Sequence, residues 1–204
     1  MHSVSYRITF TEECLGTSPA NPAIYSEYIA SNRPEGSDPA EVAALPTLEE
    51  EIQKSMTVFG REGDKPILWD YQIRGFFKDA CSSLARVKSD AKDGYSTLSS
   101  KLPAYKKVID GLIFVEPRKI ILNLPAGRDI GICERPLRAQ TAQGERIALS
   151  RSETVPAGTW FDIKVVMMHE PHAKLVTEWL EHGAFRGLGQ WRNSGKGKFS
   201  FAKV

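Results

Sequence analysis

The residues best suited to hold a ligand lie in one segment near the C-terminus, Gly187-Leu-Gly-Gln-Trp-Arg-Asn-Ser-Gly-Lys-Gly197. A pair of glycines stands at each end, because one residue separates Gly187 from Gly189 and one separates Gly195 from Gly197. Glycine adopts positive φ freely and lets another chain come close, so such a loop can turn several backbone N–H groups toward one anion. The pattern therefore predicts a loop that contacts a phosphate-bearing ligand.

The side chains in and beside this loop favour RNA or a nucleotide as that ligand. Trp191 offers a flat face for a base, and several basic residues can hold phosphates. The alternative is a glycine-rich turn that only packs between a helix and a sheet. The predicted contact residues here are Arg186, Gly187, Gly189, Gln190, Trp191, Arg192, Asn193, Ser194, Gly195, Lys196, Gly197 and Lys198.

Two common nucleotide-binding loops are excluded by the sequence around these glycines. The segment lacks the Gly-Lys-Ser/Thr ending of a P-loop. It follows a predicted helix rather than a first strand, so it is not a Rossmann dinucleotide-binding turn either.

Basic residues elsewhere in the chain can add to an RNA surface. Arg74 and Lys78 are four residues apart on a predicted amphipathic helix, a spacing that places both on one side of it. Arg135 and Arg138 lie in an irregular excursion that also carries Gln140 and Arg146, and they can form a basic flap.

No catalytic or metal-binding constellation stands out in the sequence. His169 and His172 form an HxxH pair, but the zinc pattern HExxH and a third ligand are missing. Ser194 near Lys196 has no base at a recognisable spacing. We therefore expect no catalytic residue, no metal and no cofactor.

Hydrophobic periodicity predicts an α+β fold of ferredoxin-like (RRM-like) βαββαβ type, in one domain with both helices on one face of the sheet. Alternation predicts the strands, and Ile73, Phe76, Phe77 and Ala80 mark the clearest helix. The predicted core segments are 3–11, 71–88, 112–124, 158–168, 171–183 and 196–203, with long insertions at 16–60 and 127–155, the latter a hairpin.

Composition restricts the class of protein but not the ligand. The chain has 204 residues, a hydrophobic fraction of 41% and a net charge of +2, which neither requires nor excludes nucleic acid. Its start lacks the pattern of a signal peptide, and no long apolar stretch predicts a membrane span. We therefore expect a cytoplasmic protein with no membrane partner.

Four stretches, in this order along the chain, resemble the RAMP superfamily of CRISPR RNA-binding proteins. The glycine loop has that family's spacing, in which five residues separate the two glycine pairs. Tyr6–Thr17 resembles the opening strand and the leucine–glycine element after it, and Asp70–Leu84 resembles the first helix, with Gly75 and Lys78 at the family's glycine and lysine. Gly144–Val165 resembles the stretch with a Pro-x-Gly-Thr turn that leads into the third strand.

The resemblance is nearest to the backbone subunits of type III effector complexes and implies binding to the RNA backbone. Other subunits of a ribonucleoprotein complex, or copies of the same chain, are then expected partners. The aspartate loop that cuts target RNA has no match here, so the resemblance implies binding without cleavage. Two alternatives remain open: a stand-alone, phage-encoded relative that binds a nucleotide or RNA to interfere with host defence, and a metal-independent endoribonuclease.

Overall fold

A computed structural model describes residues 1–19, 56–87, 97–141 and 144–204, with the backbone alone for Pro19, 137–141 and 144–149. Most of the insertion predicted at 16–60 therefore lies outside the described residues. None of the helices in the described part of the chain has the length and apolar character needed to cross a bilayer.

Twelve strands and three α-helices make up the described chain. In chain order they are β1 (His2–Phe10), β2 (Cys14–Leu15), β3 (Ser18–Pro19), β4 (Thr57–Val58), β5 (Gly60–Glu62), β6 (Lys65–Trp69), α1 (Asp70–Leu84), α2 (Tyr105–Leu112), β7 (Ile113–Glu116), β8 (Lys119–Ile121), β9 (Gly131–Thr141), β10 (Gly144–Val155), β11 (Trp160–Met167), α3 (His172–Arg186) and β12 (Phe199–Lys203). Short 3₁₀ turns occupy Ser99–Lys101 and Arg192–Ser194. The α+β class predicted from the sequence is confirmed.

The central sheet has the strand order β12-β1-β11-β7, and every neighbouring pair is antiparallel. Because side chains alternate along a strand, Tyr6, Ile8 and Phe10 of β1 all point into the core, where each is at most 2% exposed. The opposite face is polar, and there Arg7 donates to the carboxylate of Asp162 at 2.7 Å. One face of this sheet therefore carries the core and the other faces solvent.

Helices α1 and α3 cover the apolar face of the central sheet. The apolar side of α1 repeats at helical spacing, and its Phe76 ring packs edge-on against Phe199 of β12. Trp179 of α3 is fully buried and packs beside Phe77. Helix α1 begins at Asp70, where the Gln72 side chain accepts a hydrogen bond from the Trp69 backbone N–H at 2.7 Å.

Two smaller sheets extend the molecule. Strands β9 and β10 form a long antiparallel hairpin, as predicted for 127–155, and β10 also pairs with β2 and β4. Strand β6 pairs with β5 and β8 in a three-stranded sheet. Because β10 pairs with β2, which follows β1 in the chain, the hairpin lies near the glycine loop.

Several element boundaries differ from the sequence-based prediction, each for a local reason. Helix α3 continues past Gly183 because that glycine is a packing residue: a Cβ there would lie 2.3 Å from the Phe199 ring. Helix α1 ends at Leu84 rather than near 88, where the exposed Val87 offers no further burial. Helix α2 was not predicted, since it has only eight residues and buries Ile109 alone.

Candidate nucleic-acid interface

The glycine loop closes upon itself through its two glycine pairs. Helix α3 ends where Gly187 adopts a φ of 82°, and Leu188 then donates its N–H to the carbonyl of Gly197 at 2.8 Å. A Cβ on Gly187 would lie 2.4 Å from the Lys196 carbonyl oxygen, and one on Gly197 only 1.9 Å from that of Leu188. Glycine is therefore required at both Gly187 and Gly197 by the packing of the loop itself, before any ligand is considered.

The remaining glycines differ in their surroundings. Gly189, with a φ of 84°, lies against the segment after β1, where a Cβ would be 3.1 Å from the Cys14 sulfur. Around Gly195 the nearest atoms to such a Cβ are those of the Lys198 side chain, at 3.8 Å and beyond. On α1, a Cβ at Gly75 would meet nothing within 4 Å. The backbone at Gly195 and Gly75 is therefore accessible to a nucleic-acid chain that approaches this surface.

The cations of the loop are held by carboxylates. Arg192 donates to Asp79 of α1 at 2.5 Å, and the Nε of Arg186 lies 3.7 Å from the same carboxylate. Lys196 donates to Glu13 at 2.8 Å, and this hydrogen bond raises the pKa of the Lys196 ammonium group. A phosphate that binds here must therefore compete with carboxylates already in place.

Arg135 of the hairpin reaches the glycine loop, as the predicted basic flap requires. Its guanidinium lies 4.7 Å from the centre of the Trp191 ring, within the range of a cation–π contact. Trp191 and Arg135 line an open cleft of about 400 Å³ together with Arg186, Gly189, Gln190, Arg192 and Asn193. Arg138 lies further along β9, where only the backbone is described.

A second cleft separates the loop from the first helix. It measures about 270 Å³ and is lined by Thr17, Leu68, Gln72, Gly75, Phe76, Asp79, Leu188, Gly189 and Arg192. Gln72 and Asp79 were not predicted as site residues, although their spacing around Gly75 places all three on one side of the helix. This side of α1, rather than the one with the predicted cations, faces the glycine loop.

The two cations predicted on α1 pair separately instead of facing one ligand together. Arg74 contacts Asp70 one turn earlier at 3.1 Å, and Lys78 contacts Asp110 of α2 at 2.5 Å. Neither Arg74 nor Lys78 lines either cleft.

The other predicted loop residues lie at its surface or support its shape. Asn193 accepts a hydrogen bond from Arg186 at 2.6 Å, and Ser194 is exposed within the 3₁₀ turn. Lys198 leads into β12 and has no carboxylate within ion-pair distance among the described residues. Gln190 is partly exposed beside Trp191 and lines the same cleft.

The two histidines of the HxxH pair lie next to each other at the start of helix α3. The rings of His169 and His172 pack edge to face with their centres 5.3 Å apart, and the described ranges hold no group of three or more potential metal ligands. His182 of α3 lies below the loop, where burial lowers its pKa, Asp79 raises it, and Arg186 and Arg192 lower it. A neutral imidazole at neutral pH adds no charge to the cluster.

The chemical reactivity of Cys14 can be used to measure whether the glycine loop stays closed. It is fully buried beneath Gly189, and this burial raises the pKa of its thiol to about 12. At pH 8 roughly one thiol in ten thousand is then a thiolate, the form that reacts with alkylating agents. We expect iodoacetamide to modify the partly exposed Cys133 quickly and to leave Cys14 intact until the protein unfolds.

Peptide mapping by mass spectrometry measures both cysteines in one sample, so Cys133 serves as the internal control. Equal rates at Cys14 and Cys133 in the folded protein would mean that the loop opens readily.

Comparisons with known proteins bear on the fold. No protein-family model matches the chain, and no curated protein sequence matches it. Among solved structures, a chain of the "Cryo-EM structure of the Type III-B Cmr-beta bound to cognate target RNA" matches 99% of this chain with a TM-score of 0.51 and 10% identity. A chain of a "Type IV-B CRISPR Complex" matches 100% of it with a TM-score of 0.50 and 14% identity.

The chain shares its fold with subunits of CRISPR complexes. It spans 60% of the length of the Cmr-beta chain and 90% of the type IV-B chain. At these identities the likeness is one of fold, and it agrees with the resemblance found in the sequence.

Proposed function

We propose that this protein is an RNA-binding RAMP-like subunit of a CRISPR ribonucleoprotein, built as one domain over residues 1–204. The proposed core is ferredoxin-like, formed by β1, α1, β7, β11, α3 and β12. The strand order of the central sheet supports this core. Numbered one to four along the chain, β1, β7, β11 and β12 lie in the order 4-1-3-2 across the sheet.

The convergence of three elements carries the proposal: the glycine loop, α1 and the β9–β10 hairpin meet around Arg192. Each element supplies a group suited to an RNA backbone, namely open glycine backbone, a cation or an aromatic ring. The neighbours' descriptions add support, since one of those complexes is bound to cognate target RNA. RNA, with other subunits or further copies of this chain, is the proposed set of partners.

When RNA binds at this surface, phosphate oxygens replace carboxylate oxygens as the hydrogen-bond acceptors of the arginine side chains. In the free protein Asp79 accepts from Arg192 and lies beside Arg186. A phosphate offers these guanidinium groups the same kind of oxygen acceptors, so binding replaces one anion by another rather than pairing free cations. Asp79 thereby keeps the cations in position and lowers the affinity at the same time.

Asp79→Asn should therefore strengthen RNA binding about fivefold at low salt, because a repelling charge about 4 Å from a phosphate costs about 1 kcal/mol where water screens the pair. The amide keeps an oxygen acceptor for Arg192. Fluorescence anisotropy with labelled RNA measures the change, and the gain should shrink at high salt. Asp162→Asn is the matched control, since Asp162 pairs with Arg7 on the solvent face of the central sheet. Weaker binding by Asp79→Asn would mean that the charge itself positions Arg192 for RNA.

The direct test is to purify the protein at low salt, extract it with phenol and identify the bound species. RNA of defined length, degraded by ribonuclease, is the expected result. A single small nucleotide would instead establish the stand-alone sequestering function. An empty protein that also fails to bind added RNA would refute the proposal.

A further inference from the structure

Trp191 has a backbone conformation that is unfavourable for a tryptophan residue. Its φ of 54° lies in the left-handed region, which costs a bulky L-residue about 1–2 kcal/mol relative to glycine. The glycines at 187, 189, 195 and 197 occupy positive φ in the same loop without this cost. In this position 38% of the Trp191 surface stays exposed to solvent.

The surroundings of the Trp191 ring are those of a small ligand site. Arg135 lies over one face of the ring, 4.7 Å from its centre, and the exposed part of the ring lines the cleft of about 400 Å³. That volume lies within the range of small-molecule sites. Arg186 and Arg192 line the same cleft, and so do the side-chain amides of Gln190 and Asn193.

We propose that this cleft binds one unstacked nucleobase of the bound RNA, with the base against the exposed part of the Trp191 ring. This inference rests on the proposed RNA-binding function and assigns it a base subsite. The indole ring stacks on the base, while Arg135 holds the ring from its other side. Arg186 and Arg192 reach the phosphate next to that base, and the amides of Gln190 and Asn193 face the base edge. A purine is preferred over a pyrimidine because its larger ring system overlaps more of the indole.

The chemistry of the cleft distinguishes a nucleobase from an apolar side chain of a protein partner. An apolar group would leave the guanidinium of Arg192 and the amide of Gln190 without new acceptors while covering them. A base with its phosphate offers acceptors to both, so the polar groups keep hydrogen-bond partners when water leaves.

The test compares two RNA ligands of equal length: oligoadenylate, and an oligomer whose riboses all lack bases. We expect the protein to bind oligoadenylate about tenfold more tightly. The Trp191→Gly variant should bind both oligomers equally. The Trp191→Phe variant should keep most of the preference for oligoadenylate. Phe185→Ala is the control, because this aromatic side chain is 82% exposed near the loop and does not line the cleft.

Thermal denaturation provides a second readout on the same variants. Relief of the left-handed backbone at residue 191 should leave the melting temperature of Trp191→Gly unchanged or raise it. A structural role for the indole ring would lower it instead. Oligoadenylate should also quench the tryptophan emission of the original protein more than that of Trp191→Phe, a measurement that does not depend on the glycine variant folding.

The outcomes separate the two proposals. Equal binding of both oligomers by the original protein would overturn the base subsite and leave RNA binding intact. A preference that persists in Trp191→Gly would also overturn it. Failure to bind either oligomer would refute the RNA-binding function and the subsite together.

Discussion

Gly197→Ala should destabilise the protein by about 3 kcal/mol. Its Cβ would lie 1.9 Å from the Leu188 carbonyl oxygen, and backbone atoms of Leu188 also surround it at 2.9 and 3.0 Å. The clash adds to the cost of a φ of 72° for an L-residue, and neither strand of the loop can move without breaking the hydrogen bond from Leu188 to Gly197. Urea denaturation followed by circular dichroism measures the loss.

Gly195→Ala is the matched control within the same loop. Gly195 has a similar φ of 84°, but the nearest atoms to a Cβ belong to the flexible Lys198 side chain at 3.8 and 3.9 Å. We expect a cost of about 1 kcal/mol there, from the backbone alone. Similar losses for both variants would show that the contact between residues 188 and 197 contributes little to stability.

Replacing Arg192 and Lys196 together by alanine should weaken RNA binding more than tenfold at low salt, or above about 1.4 kcal/mol. Each substitution removes a cation and also weakens the pairing of a carboxylate near the RNA, since Glu13 loses Lys196 and Asp79 keeps only the more distant Arg186. The dependence of binding on salt should fall as well, by about 0.7 in the logarithmic slope for each lost phosphate contact. A salt titration of RNA affinity measures both effects.

Arg7→Ala with Lys164→Ala is a charge-matched control for this double variant. Both cations are paired with carboxylates, as in the loop, but they lie on the solvent face of the central sheet. RNA affinity should change little in the control. Unchanged affinity in the loop variant would defeat the assigned interface, and an equal loss in both would indicate a general charge effect.

The sequence predicted the core elements where their patterning is strong. The alternation in β1, the β-rich apolar run of β11 and the apolar stripe of α1 all follow from burial, so the order and type of these elements could be inferred from local residues. Helix α2 was not predicted, because a helix with one buried side chain shows no hydrophobic periodicity in its sequence. The end of α3 was misplaced because Gly183 looks like a helix stop, although it makes room for the Phe199 ring.

The candidate site was predictable in its residue types and less so in its pairings. Spacing alone identified the glycine loop and its cations as one unit. The carboxylates that hold those cations come from Asp79, more than a hundred residues earlier, and from Glu13, at the far end of the chain. Contacts over such separations depend on the strand order of the sheet, which no local pattern contains.

The pairing of the first strand with the last has a consequence for the timing of synthesis. Strand β1 lies between β11 and β12. Just beyond it, the Thr11 N–H donates to the Lys198 carbonyl and the Gly197 N–H donates to the Glu13 carbonyl. In a chain still emerging from the ribosome, β1 therefore lacks its neighbour β11 until residue 167 has been made and its neighbour β12 until residue 203 has been made. The glycine loop cannot take its final shape on a nascent chain, so capture of RNA must wait until that segment has been translated.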